Sequence, residues 1–337
     1  MLHAETRVRA RRHVIGMYSP MPSSLACPLC HKSDSELLCT ADQVEGERAL
    51  RSDFVRNRFD HSPATFELMD LTEFMHGGPG QLLRCNHCRV VFRDEAQIAG
   101  YEHDSYAPDV ISHLYLRYVH SFREKESRYR PLLRPGARII EIGSHYGAFL
   151  EVAEEWNWQP IGLDVGECTS AFARSRGLSV RRVAVEDLRL ARQRAEGIFV
   201  WNCFEQLDDT DAFLKNVHRL LEPGGLLVVR VPNFDFYRHW RNHYGSNNCR
   251  ELALKQLAYN NLLGFPYRLG YSASILTDLL RQYGFHHTAV HDSNVLTLPI
   301  TEMPQWVREE SSQVYRAKSS GHAGGAWIEV VSRLKTS

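Results

Sequence analysis

Two pairs of cysteines in the first third of the chain have the spacing of metal ligands. CPLC carries Cys27 and Cys30, and CNHC carries Cys85 and Cys88. Each pair offers two thiolates, and together they would complete the Cys₄ shell that structural zinc prefers. A redox pair or an incidental pattern is the alternative, but neither pair lies between a predicted strand and a helix. Three nearby residues could serve as substitute ligands: His31, Cys39 and His87.

A second group of residues with chemical potential lies in RIIEIGSHYGAFLEVAEEW, residues 138–156. Ile139, Ile140 and Ile142 predict a short buried strand, and residues 148–156 have the apolar spacing of a helix. Gly143 and Gly147 predict a tight turn between them. A strand, glycine turn and helix in this order are typical of a doubly wound α/β unit, whose ligands lie beyond the carboxyl ends of the strands. A plain connection that binds nothing is the alternative.

The residues of this turn favour one nucleotide ligand over another. A dinucleotide fingerprint requires a glycine where His145 stands, so that the backbone can approach a pyrophosphate. S-adenosylmethionine has no phosphate, and its positive amino group would suit Glu141 just before the turn. Asp164 follows after about 20 residues, the interval at which an acid contacts an adenosine ribose. Asp164 could instead cap a helix.

Candidate bases and anion-binding groups follow the fifth predicted strand, in NFDFYRHWRNHYG. We predict His239 as the first catalytic candidate and His145 as the second, because a hydroxyl or carbon acceptor benefits from a base. Tyr237 and His243 are further candidates, and each of these residues could equally be a binding or surface residue. Three arginines could receive a phosphate or carboxylate of a substrate: Arg238, Arg241 and Arg268.

The elements that must position these residues alternate between strand and helix. Apolar segments predict strands ending at Asp164 and near Asn202, with others over LSVRRVAV and LLVVRVPN. Helices are predicted from Pro108 to about Tyr129, over DDTDAFLKNVHRLLEPGG with a cap at Asp208 or Asp209, and over SASILTDLLRQYGF. This alternation predicts a parallel sheet with right-handed crossovers. Residues 234–270 read as an irregular connection, and a final antiparallel hairpin is expected around His286–His291 and AWIEVVSRLK.

Length and composition predict how the chain is divided and which partners it has. Its 337 residues suit a flexible leader over 1–24, a zinc-binding module with a helical insert over 25–106, and a large domain over 107–337. Basic and acidic residues balance at 40 each, which makes a nucleic-acid partner unlikely as the main one. No apolar run has the ~18 residues of a membrane span. Since no export signal is evident, we expect a cytoplasmic protein with reduced cysteines.

The pattern as a whole resembles the class I S-adenosylmethionine-dependent methyltransferases over residues 110–335. IIEIGSHYGAFL resembles their first motif, GLDVGE their second, and the run from IFVWNCFEQL to LLVVRVPN their fourth and fifth. The two C-x-x-C pairs, followed by VVF, Tyr101 and Tyr106, resemble the subgroup with an N-terminal zinc-binding module, which includes sugar and natural-product methyltransferases. The resemblance implies an α/β fold: a doubly wound, Rossmann-like seven-stranded sheet with a small zinc module.

The resemblance also implies a cofactor site. It places the methionine part against Glu141 and the turn, the ribose at Asp164, the adenine near Val185 and Glu186, and the methyl group near Asn202 and Cys203. The turn residues concerned are Gly143, Ser144, His145, Tyr146 and Gly147.

Three positions depart from the family pattern. His145 replaces the middle glycine, Glu205–Gln206 replaces an acid–histidine pair, and Arg268 replaces a histidine. We expect methyl transfer to a small-molecule acceptor, such as a sugar, sugar nucleotide or natural-product intermediate. The alternatives are an RNA methyltransferase with a zinc ribbon and a non-catalytic scaffold. The sequence leaves the acceptor atom and the oligomeric state open.

Overall fold

The computed structural model describes residues 25–47, 49–50, 80–94, 108–185, 194–244, 253, 257, 262, 268–293 and 325–336. Several predicted features lie outside these residues: the leader, most of the insert between the cysteine pairs, Tyr101, Tyr106 and Glu186. Within the insert, residues 41–47 and 49–50 are helical, in agreement with the predicted helical character of the insert.

The strands are, in chain order, β1 Ser35–Cys39, β2 Leu82–Cys85, β3 Val91–Arg93, β4 Arg138–Ile142, β5 Gln159–Asp164, β6 Val180–Arg182, β7 Ala195–Trp201, β8 Leu221–Pro232, β9 Leu269–Gly270, β10 Phe285–Ser293 and β11 Trp327–Leu334. The helices are α1 Pro108–Arg123, α2 Glu126–Tyr129, α3 Ala148–Glu155, α4 Glu167–Ser175, α5 Thr210–Leu220, α6 Phe234–Tyr244 and α7 Ala273–Gln282. A 3-10 turn, Phe204–Gln206, follows β7.

The larger sheet has seven strands in the order β10-β11-β8-β7-β4-β5-β6. The strands from β8 to β6 are parallel, and β11 runs antiparallel to both of its neighbours. Residues 225–232 of β8 are all buried, as expected for a parallel sheet that is covered on both faces. The predicted doubly wound seven-stranded sheet and the antiparallel C-terminal hairpin are confirmed.

The strand order reverses between β4 and β7. From β4 the chain proceeds outward through β5 and β6, and it then returns to place β7 on the other side of β4. Ligands of open α/β sheets bind at such a switch point, outside the carboxyl ends of the strands. The fold therefore places its crevice where β4, β5 and β7 end.

The helices agree with the sequence pattern except in one segment. Asp209 caps α5 through its side chain, which accepts a hydrogen bond from the Ala212 N–H at 2.9 Å, as predicted. The prediction of an irregular connection over 234–270 is wrong for residues 234–244, which form α6. The aromatic residues of that segment provide a buried helix face through Phe234, Phe236 and Tyr237.

The smaller sheet joins the N-terminal cysteine segment to the C-terminal half of the chain. Its order is β1-β2-β3-β9, and β9 belongs to the C-terminal half. Val91 pairs with Gly270 and Phe92 pairs with Leu269. Cys27, Phe92 and Leu269 share one hydrophobic cluster with residues of the larger sheet. The cysteine pairs are thus packed directly against the α/β core.

Candidate active site

A cavity of about 620 Å³ opens at the carboxyl ends of β4, β5, β7 and β8. Its floor is formed by the turn after β4, and α1 contributes Tyr118, Ser121 and Phe122 to its wall. Trp201 and Trp327 complete an aromatic lining. Such a concave, largely apolar space with a few polar groups is typical of a small-molecule site.

The turn after β4 is fixed to the neighbouring strand β5 by backbone hydrogen bonds. The N–H groups of Gly143 and Ser144 both donate to the Leu163 carbonyl of β5, at 2.8 and 3.0 Å. Gly143 has a φ of +72°, and a Cβ there would lie 2.8 Å from the Cys203 Sγ. Only glycine allows both this backbone conformation and this close approach.

The backbone N–H groups of Gly143, Ser144 and His145 in this turn are already used inside the protein. Besides the two bonds to Leu163, the His145 N–H donates to Asp164 Oδ2 at 2.7 Å. A pyrophosphate would need these N–H groups to point at the ligand. The turn therefore fits a nucleotide ligand that brings no phosphate to it.

Asp164 connects the turn after β4 with the turn after β5. Its Oδ1 accepts from the Gly166 N–H and the Thr169 hydroxyl, both at 2.8 Å. With the bond from His145, three of its roughly four acceptor positions are occupied, which leaves capacity for a ligand hydroxyl. The N-cap of α4 is Gly166 and not Asp164, although the Asp164 carboxylate accepts a hydrogen bond from the Gly166 N–H.

Glu141 is a buried carboxylate at the floor of the cavity. The residue is only 3 % exposed, and its Oε2 atom has no hydrogen-bond partner among the described residues. Burial, with a smaller contribution from the charge of Asp164, raises its pKa well above the ordinary value. A cation bound beside it would favour the ionised form again. This donor set fits the ammonium group of S-adenosylmethionine.

The other predicted cofactor residues are brought together with one exception. Tyr146, Val185, Asn202 and Cys203 line the cavity, together with Ser144 and His145. The Cys203 thiol contacts the Ile142 carbonyl at 3.4 Å, and burial raises its pKa well above the ordinary value. Gly147 does not line the cavity. With a φ of +79° it begins α3.

The predicted base His239 is not placed with these residues. It lies half-buried on α6, with its ring centroid 5.3 Å from that of Trp240, and it does not line the cavity. His145 does line it, at a φ of +48° and with its ring 3.7 Å from that of Tyr146. The three candidate arginines form ion pairs: Arg238 with Asp235, Arg241 with Glu47 and Arg268 with Asp208.

Sequence reasoning missed the charged wall of the cavity. Lys125 and Arg230 line this wall, and both are close to the buried Glu329, which does not line the cavity. Glu329 accepts hydrogen bonds from Lys125, Arg128 and Tyr129, and the Arg230 Nε lies 3.7 Å from its Oε1. Burial opposes ionisation of Glu329, but Lys125 and Arg230 outweigh it and lower its pKa to about 2. Burial, with repulsion from Arg230, lowers the pKa of Lys125 to about 8. Only the apolar surroundings of Arg230 and Glu329 within their strands marked them as unusual.

Glu205 was noted in the sequence only as a departure from a motif. It is completely buried, it lines the cavity, and neither carboxylate oxygen has a hydrogen-bond partner of ordinary geometry among the described residues. Burial raises its pKa to about 7, against the opposing influence of the Glu205 N–H, the Gln206 amide and Arg230.

The four cysteines of the N-terminal pairs form a compact cluster. Their Sγ atoms all lie within 4.8 Å of one another, with Cys27 and Cys88 at 3.6 Å and Cys30 and Cys85 at 3.4 Å. These distances exceed a disulfide bond of ~2.05 Å. They suit a tetrahedral zinc shell, in which Zn–S bonds of ~2.3 Å place neighbouring sulfurs ~3.8 Å apart. The suggested substitutes His31, Cys39 and His87 are not part of this cluster.

Comparison with known families places this geometry in context. The family model described as "Methyltransferase domain" matches residues 111–290, more than half of the chain. The chain belongs to the methyltransferase family. Together with the seven-stranded sheet, this confirms the class I S-adenosylmethionine-dependent fold and the cofactor that the motifs imply. In the part of this methyltransferase that the structure describes, no helix has the length and apolar character required to cross a membrane.

The methyltransferase is also similar to individual curated proteins over part of their length. It is 28 % identical to the C-methyltransferase NovU of Streptomyces niveus over 30 % of this chain and 25 % of that protein. It is 28 % identical to the ubiquinone biosynthesis O-methyltransferase of Agrobacterium fabrum over 35 % of this chain and 48 % of that protein. The chain thus spans about a quarter to a half of the length of these relatives.

A solved structure of a SAM-dependent methyltransferase from Archaeoglobus fulgidus is similar as well. It covers 64 % of this chain and 94 % of its own, with 15 % identity and a TM-score of 0.44.

Proposed function

We propose that this protein transfers the methyl group of S-adenosylmethionine to a small-molecule acceptor. The observation that carries the proposal is Glu141, a buried carboxylate without a hydrogen-bond partner on Oε2 among the described residues. It lies beside a turn in which the N–H groups of Gly143, Ser144 and His145 are already bonded. A cationic amino acid moiety compensates such a carboxylate, whereas a phosphate would be repelled by it and would find the N–H groups of Gly143, Ser144 and His145 already bonded.

The cofactor-binding residues each have a distinct role in this proposal. Glu141 and the turn hold the methionine part, and the remaining acceptor capacity of Asp164 receives a ribose hydroxyl. Val185 lies along the adenine, with Glu186 proposed from the motif alone. Asn202 and Cys203 flank the sulfonium. Methyl transfer is an in-line displacement, so holding the acceptor against the methyl carbon supplies much of the acceleration.

The dimensions of the cavity and the charge of the chain support a small acceptor. About 620 Å³ is within the range of ordinary small-molecule pockets. The two relatives named above are a C-methyltransferase and an enzyme of ubiquinone biosynthesis. Equal numbers of acidic and basic residues do not favour the alternative of an RNA acceptor.

We further propose a structural zinc ion held by Cys27, Cys30, Cys85 and Cys88. Four thiolates leave no open coordination position, so the metal would stabilise the fold and take no part in the chemistry. The division into a leader over 1–24, a zinc module over 25–106 and a methyltransferase domain over 107–337 is part of the same proposal.

Calorimetric titration tests the cofactor, with S-adenosylmethionine, S-adenosylhomocysteine and NAD⁺ as ligands. We expect binding of the two methyl-cycle compounds at micromolar concentration and none of NAD⁺. A screen of acceptors with methyl-labelled S-adenosylmethionine then tests transfer. Failure of both methyl-cycle compounds to bind would overturn the enzyme proposal, and binding without transfer to any acceptor would favour a non-catalytic scaffold.

A further inference from the structure

The wall of the cavity contains two cationic side chains from different parts of the chain. Lys125 lies between α1 and α2, Arg230 lies on β8, and both line the cavity. Their side chains are 12 % and 7 % exposed, so each keeps some accessible surface although most of it is packed. This wall therefore presents positive charge to a molecule that occupies the cavity.

The register of the sheet places Arg230 beside the proposed reaction centre. Arg230 pairs with Trp201 of β7 on one side and with Glu329 of β11 on the other. Residues that pair across neighbouring strands project from the same face of a sheet. The Arg230 carbonyl also accepts a hydrogen bond from the Asn202 N–H at 3.1 Å, and we assign Asn202 to the sulfonium. Arg230 is thus adjacent to the residues that flank the methyl group.

Among the described residues, the cations of this wall outnumber the acidic groups that neutralise them. Glu329 is the carboxylate shared by three cations: Lys125, Arg128 and Arg230. Glu205 also attracts Arg230, but burial raises the pKa of Glu205 to about 7, so it offsets only part of the charge near neutrality. Taking charges out of water is costly unless they are paired. The pairing of Glu329 alone therefore does not account for three cations.

We propose that Lys125 and Arg230 form an anion subsite for the methyl acceptor, which therefore carries a carboxylate or a phosphate group. This inference rests on the proposed function and names the chemical class of acceptor for the same cavity. The Lys125 ammonium has three N–H donors, and its hydrogen bond to Glu329 uses one of them. The planar Arg230 guanidinium matches the paired oxygens of a carboxylate or a phosphate.

The other source of an anion in this cavity is the carboxylate of S-adenosylmethionine itself. We assign the methionine part to Glu141 on β4 and to the turn that follows it. β7 lies between β4 and β8, so the backbone of Arg230 is two strand spacings, about 10 Å, away from β4. The anion subsite lies beside Trp201 and Asn202 instead, where an acceptor must meet the methyl group. This separation favours the acceptor as the source of the anion.

The aromatic residues around the subsite indicate the rest of the acceptor. Phe122 and Trp201 pack with their ring centroids 5.3 Å apart, and the Arg230 guanidinium lies 4.8 Å from the centroid of the Trp327 ring. Tyr118 also lines this part of the cavity. An acceptor with an apolar or aromatic body and one anionic group fits these surroundings, since a neutral acceptor would leave the cations without a counter-charge.

Calorimetric titration of the protein saturated with S-adenosylhomocysteine tests the subsite. The probes are benzoate and phenyl phosphate, with benzamide and benzyl alcohol as their neutral counterparts. We expect anion binding that is at least about 10-fold tighter than that of the matched neutral probe, the effect of one charged hydrogen bond. The tighter of the two anions identifies the acceptor group as a carboxylate or a phosphate.

Three variants assign this binding to the two cations. Lys125→Gln and Arg230→Gln should each weaken anion binding by about 10- to 100-fold. The matched control is Arg128→Gln, which removes a charge from the same Glu329 cluster. Arg128 does not line the cavity and its side chain is 33 % exposed, so its loss should change anion binding by less than about threefold.

Affinity for S-adenosylhomocysteine separates the two sources of the anion. All three variants should bind it as the wild type does, because the subsite belongs to the acceptor. A thermal melt checks folding, and Lys125→Gln decides the test if Arg230→Gln fails to fold.

Four results would overturn the inference. They are the absence of anion binding to the saturated protein, equal binding of neutral and anionic probes, equal losses in Arg128→Gln and Lys125→Gln, and a loss of S-adenosylhomocysteine affinity in Lys125→Gln. The last result would assign the cations to the carboxylate of the cofactor. Failure of the proposed function would be recognised separately, since S-adenosylhomocysteine would then not bind to the wild type before any probe is added.

Discussion

Among the acidic residues that line the cavity, Glu141, Asp164 and Glu205 have different surroundings. Glu141 is buried without a hydrogen-bond partner on Oε2, Asp164 accepts three hydrogen bonds, and Glu205 is buried near Arg230. Burial raises the pKa of Glu141 and of Glu205, and the three hydrogen bonds that Asp164 accepts hold its carboxylate in place. The three carboxylates therefore differ in the hydrogen-bonding capacity that they leave for a ligand.

Glu141 leads to a prediction about cofactor affinity. Glu141→Gln should weaken binding of S-adenosylmethionine by about 10- to 100-fold, the effect of losing one charged hydrogen bond. Because the pKa of Glu141 is raised, the free protein holds a proton there at low pH, and a cationic ligand must displace it. Wild-type affinity should therefore increase with pH, with proton release on binding. Calorimetry in buffers of different ionisation enthalpy measures both, and equal affinity of the variant and wild type would contradict the assignment.

At the level of elements, the wall of the cavity depends on how α1 and α2 are attached to the sheet. The segment from α1 to α2 places Tyr118, Phe122 and Lys125 at the cavity. Glu329 of β11 accepts hydrogen bonds from Lys125, Arg128 and Tyr129 of this segment. The Arg230 guanidinium lies over the Trp327 ring, 4.8 Å from the ring centroid. A single buried carboxylate of β11 thus links α2 and the residue before it to β8.

Glu329→Gln should consequently destabilise the protein much more than loss of a surface ion pair. Removing one partner of a buried ion pair costs about 3–5 kcal/mol. The control Glu155→Gln, whose pair with Arg123 is 40 % and 51 % exposed, should cost less than about 1 kcal/mol. Urea unfolding at pH 7 measures both values.

The same cluster predicts a dependence of stability on pH. The pKa of Glu329 is lowered from 4.5 to about 2 in the folded protein. Its contribution is therefore present above the unfolded value and is lost as the pH falls from about 4.5 to about 2. The difference in unfolding free energy between wild type and Glu329→Gln should shrink over this interval, and a constant difference would contradict the account.

At the level of the whole molecule, the N-terminal cysteine pairs and the α/β sheet form one connected structure. β9 pairs with β3, and Glu47 accepts a hydrogen bond from Tyr237 at 2.8 Å and pairs with Arg241 at 2.7 Å. Arg268, directly before β9, forms an ion pair with Asp208 at the rim of the cavity. Changes at the cysteine cluster therefore act on elements that border the candidate active site.

Metal removal tests this connection. We expect the purified protein to contain zinc, and a strong chelator should lower its Tm by removing a ligand that binds only the folded state. Cys88→Ser should abolish zinc content, whereas Cys168→Ser, on an exposed cysteine of α4, should retain it. Metal analysis and calorimetry provide the readouts. Zinc-free wild-type protein of unchanged stability would contradict the assignment of the metal site.

The sequence by itself determined the sheet, the turn after β4 and the grouping of four cysteines into one cluster. These features arise from interactions within a few residues: apolar runs for buried strands, glycine at a positive φ, and two C-x-x-C turns. The cap at Asp209 and the carboxyl-end location of Glu141 and Asp164 follow from the same local rules.

Only the tertiary structure decided the rest of the site. Glu205 and Arg230 become a pair of neighbours because β7 and β8 lie side by side, and Glu329 reaches Lys125 across 204 positions of sequence. The helix α6 forms because its aromatic face is covered by other parts of the chain, and β9 is a strand because β3 lies next to it. Such contacts depend on groups that are distant along the chain, so no local pattern of residue types contains them.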